Sequence, residues 1–275
     1  MDKMRFWLFI GFCFLLLNTN GQDIHFSQFK NARLNLNPAL SGSINSDFEA
    51  VFQRRSQWVS ITDPFKTISF SLYSKDVYKQ FSFGASFIND VAGSSNFATT
   101  GINFSISKKI ITKSKYTLDI GGLIGALQRS FNFNSLTFYD EEQFINENIF
   151  FIDLGFGGVL KNKINNHSNF ELGFSSFHIN NPNLSFSNTY TENTPMKHVA
   201  YFEYDYFYNN LFFTPLFYYS VQSKESELIY GIDLGNDFNK KDSQINYNGA
   251  LYIRNNDAII PQVGIMFQHF SFHIS

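Results

Sequence analysis

Residues Gln80–Asn89 read QFSFGASFIN, and the alternation in this stretch decides the fold. Phe81, Phe83, Ala85 and Phe87 fall on one face of an extended strand. Ser82, Gly84 and Ser86 fall on the other, because successive side chains alternate across a strand. One face is aromatic; the other is small and polar. In a soluble sheet the apolar face covers a shared core. Here about a dozen such strands follow one another with nothing else to cover them. The apolar face is therefore expected to meet lipid, which makes the chain an all-β protein, a transmembrane antiparallel β-barrel.

The composition agrees. Of 275 residues, 35 are Phe, 14 Tyr and 2 Trp, while charged residues make up 16%. Aromatic excess with few charges fits lipid-facing strands and interfacial girdles. A genome biased toward Phe, Ile, Asn and Lys codons contributes to the same excess. A net charge of −2 gives no case for nucleic acid as a partner.

The N-terminus reads as a secretory signal peptide over residues 1–21. Lys3 and Arg5 form the charged region, and the apolar run Phe6–Leu17 is 12 residues long, too short to span a bilayer as a helix. Thr19 and Gly21 fit the small positions before a cleavage site, so cleavage is expected before Gln22. Cys13, the one cysteine, lies inside the leader, and Phe12 before it argues against a lipoprotein signal. The mature chain would then hold no disulfide and no thiolate metal site or nucleophile.

Residues 22–46 are polar and irregular, with Asn37-Pro38 as a turn signal. They are expected to stay on the periplasmic side or to plug the lumen. The barrel is expected over 47–275, as thirteen strand segments. The eighth is the clearest after the opening stretch. It sets Phe202, Tyr204, Tyr206 and Tyr208 against Tyr201, Glu203 and Asp205. Two carboxylates facing lipid would cost several kcal/mol, so they should face a wet interior. The ninth, Leu211–Val221, alternates poorly and carries Pro215. Single-chain bacterial barrels have even strand numbers, so about 14 strands are expected, with the C-terminus falling one strand short. Connections after odd-numbered strands are often long, and those after even-numbered strands, such as Asn209-Asn210, are often short. Short turns belong on the periplasmic side and long loops outside, so the first strand should rise from the periplasm of an outer membrane.

Several stretches, in order, resemble the PorP/SprF family of type IX secretion outer-membrane proteins from Bacteroidetes. They are Gln22-Asp23-Ile24-His25-Phe26-Ser27-Gln28-Phe29, then Asn37-Pro38-Ala39-Leu40-Ser41-Gly42, then Arg55-Ser56-Gln57-Trp58. Asn89-Asp90 with Gly93 follows, then Gln128-Arg129-Ser130 with Leu136-Thr137-Phe138, then His178-Ile179-Asn180 with Pro182 and Ser185-Phe186. The last third resembles the family in pattern more than in motif. The resemblance implies a role in exporting or retaining particular cargo at the cell surface, such as gliding adhesins with a C-terminal sorting domain. It implies other type IX components as partners.

No catalytic constellation stands out. His25, His178 and His198 lack metal-ligand spacing, and a hydrogen-bonded or solvated role is favoured for each. Asp140-Glu141-Glu142 lacks the alternating ligands and glycine of a calcium loop. Glu203 and Asp205 are expected to pair with basic residues of neighbouring strands, Arg254 or Lys108, rather than to act as an acid/base pair. Gly155, Gly157 and Gly158 sit within a strand and open no helix, so they relieve crowding rather than bind phosphate. No cofactor is expected. Arg55, Gln57 and Trp58 are candidates for docking a partner at the outer rim, against a structural reading in which Trp58 is a girdle residue and Arg55 bonds a neighbouring strand or loop. Phe26 and Phe29 are candidate apolar anchors for a periplasmic partner, or parts of a plug. Three functions compete: a non-enzymatic secretion accessory barrel, an outer-membrane transporter of hydrophobic small molecules, and an outer-membrane hydrolase, the last disfavoured by the missing triad.

Overall fold

A computed structural model describes residues 23–57, 64–93, 97–131, 148–186, 191–236 and 245–275. The predicted leader, Trp58, Leu136–Phe138 and Asp140–Glu142 lie outside the described residues.

The described residues form thirteen strands: β1 (Phe48–Gln57), β2 (Phe65–Tyr78), β3 (Phe81–Ala92), β4 (Phe97–Thr112), β5 (Tyr116–Ser130), β6 (Asn148–Asn165), β7 (Ser168–Phe177), β8 (Lys197–Tyr208), β9 (Leu211–Gln222), β10 (Glu225–Asn236), β11 (Ile245–Arg254), β12 (Ala258–Phe267) and β13 (Phe270–Ile274). Each pairs antiparallel with the next, giving one sheet in sequence order. Among the described residues β13 and β1 are its two edges. No described helix is long and apolar enough to cross a membrane.

The alternation read from the sequence is the alternation of exposure. In β3, Ser82 and Ser86 are buried at 2% and 4%, while Phe83 and Phe87 are exposed at 42% and 41%. The same inversion runs through the sheet: Phe70, Phe104, Ile124, Phe156, Phe174 and Phe217 are exposed, and Ser69, Ser105, Asp153, Ser175 and Thr214 are buried. In water such a surface would be untenable. In a bilayer it is the lipid-facing band.

The turn geometry follows the residues available. Lys79 and Gln80, between β2 and β3, both hold positive φ (45° and 68°), the signature of a tight type I′ hairpin whose twist matches the strands. The connection between β2 and β3 is therefore two residues long. Residues 75–78 belong to the end of β2, with an irregular register between Ser74 and Tyr78 and a positive φ (49°) at Asp76. Similar irregularities occur at Lys109–Ile111 and Lys163–Asn165. All three sit beside short turns, at the rim, where bulges release strands from pairing. Strand β9 forms despite Pro215. The β8–β9 ladder lapses there, between Glu203↔Leu216 and Tyr206↔Phe213, as a residue without an N–H requires.

Residues 23–46 lie on the concave side of the sheet. They include a single-turn α-helix, Arg33–Leu36, and a 3-10 turn, Pro38–Gly42. Their side chains form one buried cluster with Tyr73, Leu123, Val159, Tyr201, Leu216, Tyr218, Ile229, Tyr252 and Ile260, which come from eight strands between β2 and β12. A flat sheet could not bring these strands to one short segment, so the sheet is rolled around it.

Candidate functional site

The segment crosses the interior from one end to the other. Asp23 sits beside the long connections and Ser43 beside the short turns, and a different interaction holds each level.

At the outer level, Asp23 is gripped from three sides. His178 Nε2 lies 2.8 Å from its carboxylate, Gln222 Nε2 donates at 3.1 Å, and Lys197 Nζ is 3.6 Å away. The Asp23 backbone N–H donates in turn to Gln222 Oε1 at 3.1 Å. The other ring nitrogen of His178 is 2.8 Å from Asp153. One carboxylate thereby ties together β6, the residue after β7, and the facing ends of β8 and β9. Burial alone would raise the Asp23 pKa. The charges of Lys197 and His178 outweigh it and hold the carboxyl well below its usual range. Burial alone would lower the His178 pKa. The Asp23 charge, with hydrogen bonds to Asp153 and Asp23, raises it instead to about 10.

Two residues further, His25 spans the sheet's first and late strands. Its carbonyl oxygen accepts from Arg55 of β1, and its Nδ1 lies 3.3 Å from Glu227 of β10. Glu227 is in turn ion-paired to Arg254 of β11 at 2.7 Å. Ser27 O accepts from Gln262 of β12, and Gln28 O accepts from Gln53 of β1. At mid-depth Lys30 pairs with Glu203 of β8 at 3.0 Å. Lower still, Arg33 pairs with Glu49 of β1 at 2.5 Å and lies over the Tyr73 ring.

Around Asn37 the contact becomes steric. Its amide donates to the carbonyls of Gly158 and Phe174, each at 3.0 Å, while its Oδ1 accepts from Ala39 N–H at 2.9 Å and so caps the 3-10 turn. The side chain fits because residue 157 is glycine; a Cβ there would collide with Asn37 Oδ1. At Gly121 a Cβ would come within 2.6 Å of the Ala39 backbone nitrogen. Ser41 Oγ meets Ser105 Oγ at 2.6 Å, and Lys161 reaches Ser43.

The residues singled out in the sequence take these places. Phe26 is 5% exposed and packs with Ile24, Ala32 and Ile88. Phe29 is 8% exposed, its ring 5.4 Å from Tyr218 and 5.5 Å from Tyr252. Both aromatic rings are occupied inside the chain. Arg55 bonds the inner segment rather than a neighbouring strand, and Gln57 ends β1 half-buried. Glu203 and Asp205 do face inward, but their partners differ from those expected. Glu203 takes Lys30, and Asp205 accepts from Asn169 and Thr214. Arg254 is committed to Glu227 and Asp257, and Lys108 lies over the Phe81 ring. Sequence reasoning missed Lys30, Arg33 and Asn37, because their partners are far away along the chain. Gly121 and Gly157 on the inward face were the available signal. Among the described residues no group of three metal-ligating side chains forms.

A cavity of about 390 Å³ remains beside the segment at its outer end, bounded by strands β3–β6, Leu184 and residues 192–195.

The family described as "Type IX secretion system membrane protein PorP/SprF" matches residues 18–275. No curated protein matches the chain. Among solved structures, a KdgM porin in complex with disordered oligogalacturonate is similar at TM-score 0.46 and 8% identity, covering 80% of this chain and 99% of that one. The Ralstonia pickettii toluene transporter TbuX is similar at TM-score 0.48 and 10% identity, covering 86% of this chain and 84% of that one.

Proposed function

From the premise that this chain belongs to the PorP/SprF family of type IX secretion system membrane proteins, we infer that it is a non-enzymatic outer-membrane component that assists export or surface retention of specific cargo, such as gliding adhesins. The observation that carries the reading is the family match over residues 18–275, taken together with the occupied interior. An apolar outer band seats the protein in a bilayer. Its described interior is occupied by its own residues 23–46, which favours a role in binding partners over one as an open channel. The surfaces left for partners are then the two rims: the long connections outside and the short turns within. Other type IX components and sorting-domain cargo are the partners this reading assigns to them. The wall of the remaining cavity carries Asp90, Asp153, Glu192, Arg129 and Lys197, which suits a hydrophobic transport path poorly.

The test is deletion of the gene followed by mass spectrometry of surface and medium proteins. Selective loss of one or a few sorting-domain proteins from the surface is the expected result. An unchanged surface proteome would overturn the secretion role and leave the fold alone.

A further inference from the structure

The cavity beside the inner segment has a layered wall set by strand register. At its mouth Asp90, Thr99 and Arg129 stand in one cross-strand row on β3, β4 and β5. Two residues deeper, Ile88, Leu127 and Phe151 form an apolar row, with Gly101 between the first two. Below that lie Asn103 and Asp153. The opposite wall is Leu184 with Glu192–Pro195, and Asp23, Ile24, Leu34 and Asn35 close the side.

Two polar atoms on this lining are buried and without a hydrogen-bond partner among the described residues: Arg129 Nε and Thr194 Oγ1. The Arg129 guanidinium rests over the Phe97 ring at 5.2 Å, which fixes its plane without satisfying that N–H. Asp90 accepts from Thr67 through one oxygen, at 2.5 Å. No ion pair joins Arg129 to Asp90 or Glu192 among the described residues. An orphaned buried donor costs free energy that a fitting acceptor returns.

We propose that this cavity binds a short zwitterionic peptide with an apolar side chain. Its carboxylate meets Arg129 and Thr194, its ammonium meets Asp90, and its side chain lies on the row of Ile88, Leu127 and Phe151. Asp90 and Arg129 are two strand spacings apart, roughly 10 Å between backbones, and their side chains close that gap to the size of a dipeptide's charged ends. The volume of about 390 Å³ is within the range of small-ligand sites and too small for a folded partner. Both charges are needed because the wall carries both signs. A purely anionic ligand would meet Asp23, Asp90, Asp153 and Glu192, and a purely cationic one would meet Arg129, Lys197 and His178. The inference does not depend on the secretion role.

The test is calorimetric titration of the purified full chain in detergent with four probes: the dipeptide Leu-Phe, its N-acetyl form, its C-terminal amide, and the doubly capped form. The free dipeptide should bind saturably, and capping either end should weaken binding about tenfold or more. Arg129→Gln should erase the penalty for amidation, and Asp90→Asn the penalty for acetylation. Equal affinity for all four probes, loss on capping only one end, or no saturable binding by the wild-type chain would each overturn the proposal. The probe series needs no variant, so a misfolded variant leaves the test intact.

Discussion

The two halves of the wall hold the inner segment by opposite means. Strands β2–β7 present small residues inward, among them Ser69, Ser71, Ser82, Ser86, Ser105, Ser107 and Ser175, with Gly121 and Gly157 where the segment's backbone comes closest. Strands β8–β12 present Tyr201, Leu216, Tyr218, Ile229, Tyr252 and Ile260, with Glu203 and Glu227 between them. The segment therefore lies off-centre, against the first half, and the second half reaches across with rings and charges. Around Asn37 to Gly42 position against the first side is set by exclusion, and around Phe29 and Lys30 position against the second is set by filling and pairing.

The difference makes the two sides fail under opposite substitutions. The largest effect is expected on the small-residue side. Gly121→Val forces a side chain into the Ala39 backbone, which cannot rotate away as a side chain tip would. We expect a loss on the order of 3 kcal/mol or more, read as lost heat-resistant mobility on semi-native gels. On the other side the damaging change is truncation. Tyr252→Ala removes a fully buried ring that packs on Phe29, at a cost of about 3 kcal/mol. Tyr252→Phe should be tolerated, because Tyr252 Oη has no hydrogen-bond partner among the described residues. If small-to-large and large-to-small changes hurt both sides alike, the contrast fails.

A smaller effect is expected at the charges. Lys30→Met leaves Glu203 facing inward without its partner and should cost about 2 kcal/mol. Adding Glu203→Gln should recover much of that in a double-mutant cycle, because the penalty lies in the stranded carboxylate rather than in the pair.

The strands of the sheet and their inward and outward faces were legible, because a period of two is local and each strand repeats it. The place of residues 23–46 was not. Asn37 bonds the carbonyls of residues 158 and 174, and Asp23 meets residues 178, 197 and 222 only because the rolled sheet brings them to it. Nothing around Asn37-Pro38 states which distant glycine will receive it. For the same reason Glu203 was rightly expected to face inward, yet its cation came from the segment rather than from an adjacent strand.

The smallest effect expected is pH-dependent loosening at the outer end. The Asp23 pKa is held below its ordinary 3.8, so that contribution is present above about pH 4 and is lost as pH falls below it. His178 is raised from 6.5 to about 10, so its contribution is complete below pH 6.5 and fades as pH rises toward 10. Facing these groups, Asp153, Lys197 and Gln222 complete the set. Proteolytic nicking near residues 23–25 should therefore rise between pH 7 and 10 in the wild type, and that rise should flatten in His178→Gln.

Residues 23–46 are built into the rolled sheet, and a single cross-link can check this. Ser41 Oγ and Ser105 Oγ are 2.6 Å apart across the segment–wall contact. The sequence contains one cysteine, Cys13, within the predicted leader. Ser41→Cys with Ser105→Cys, expressed in native membranes under mild oxidation, should give a disulfide-linked peptide pair by mass spectrometry. Full alkylation of both thiols, with no linked pair, would contradict it.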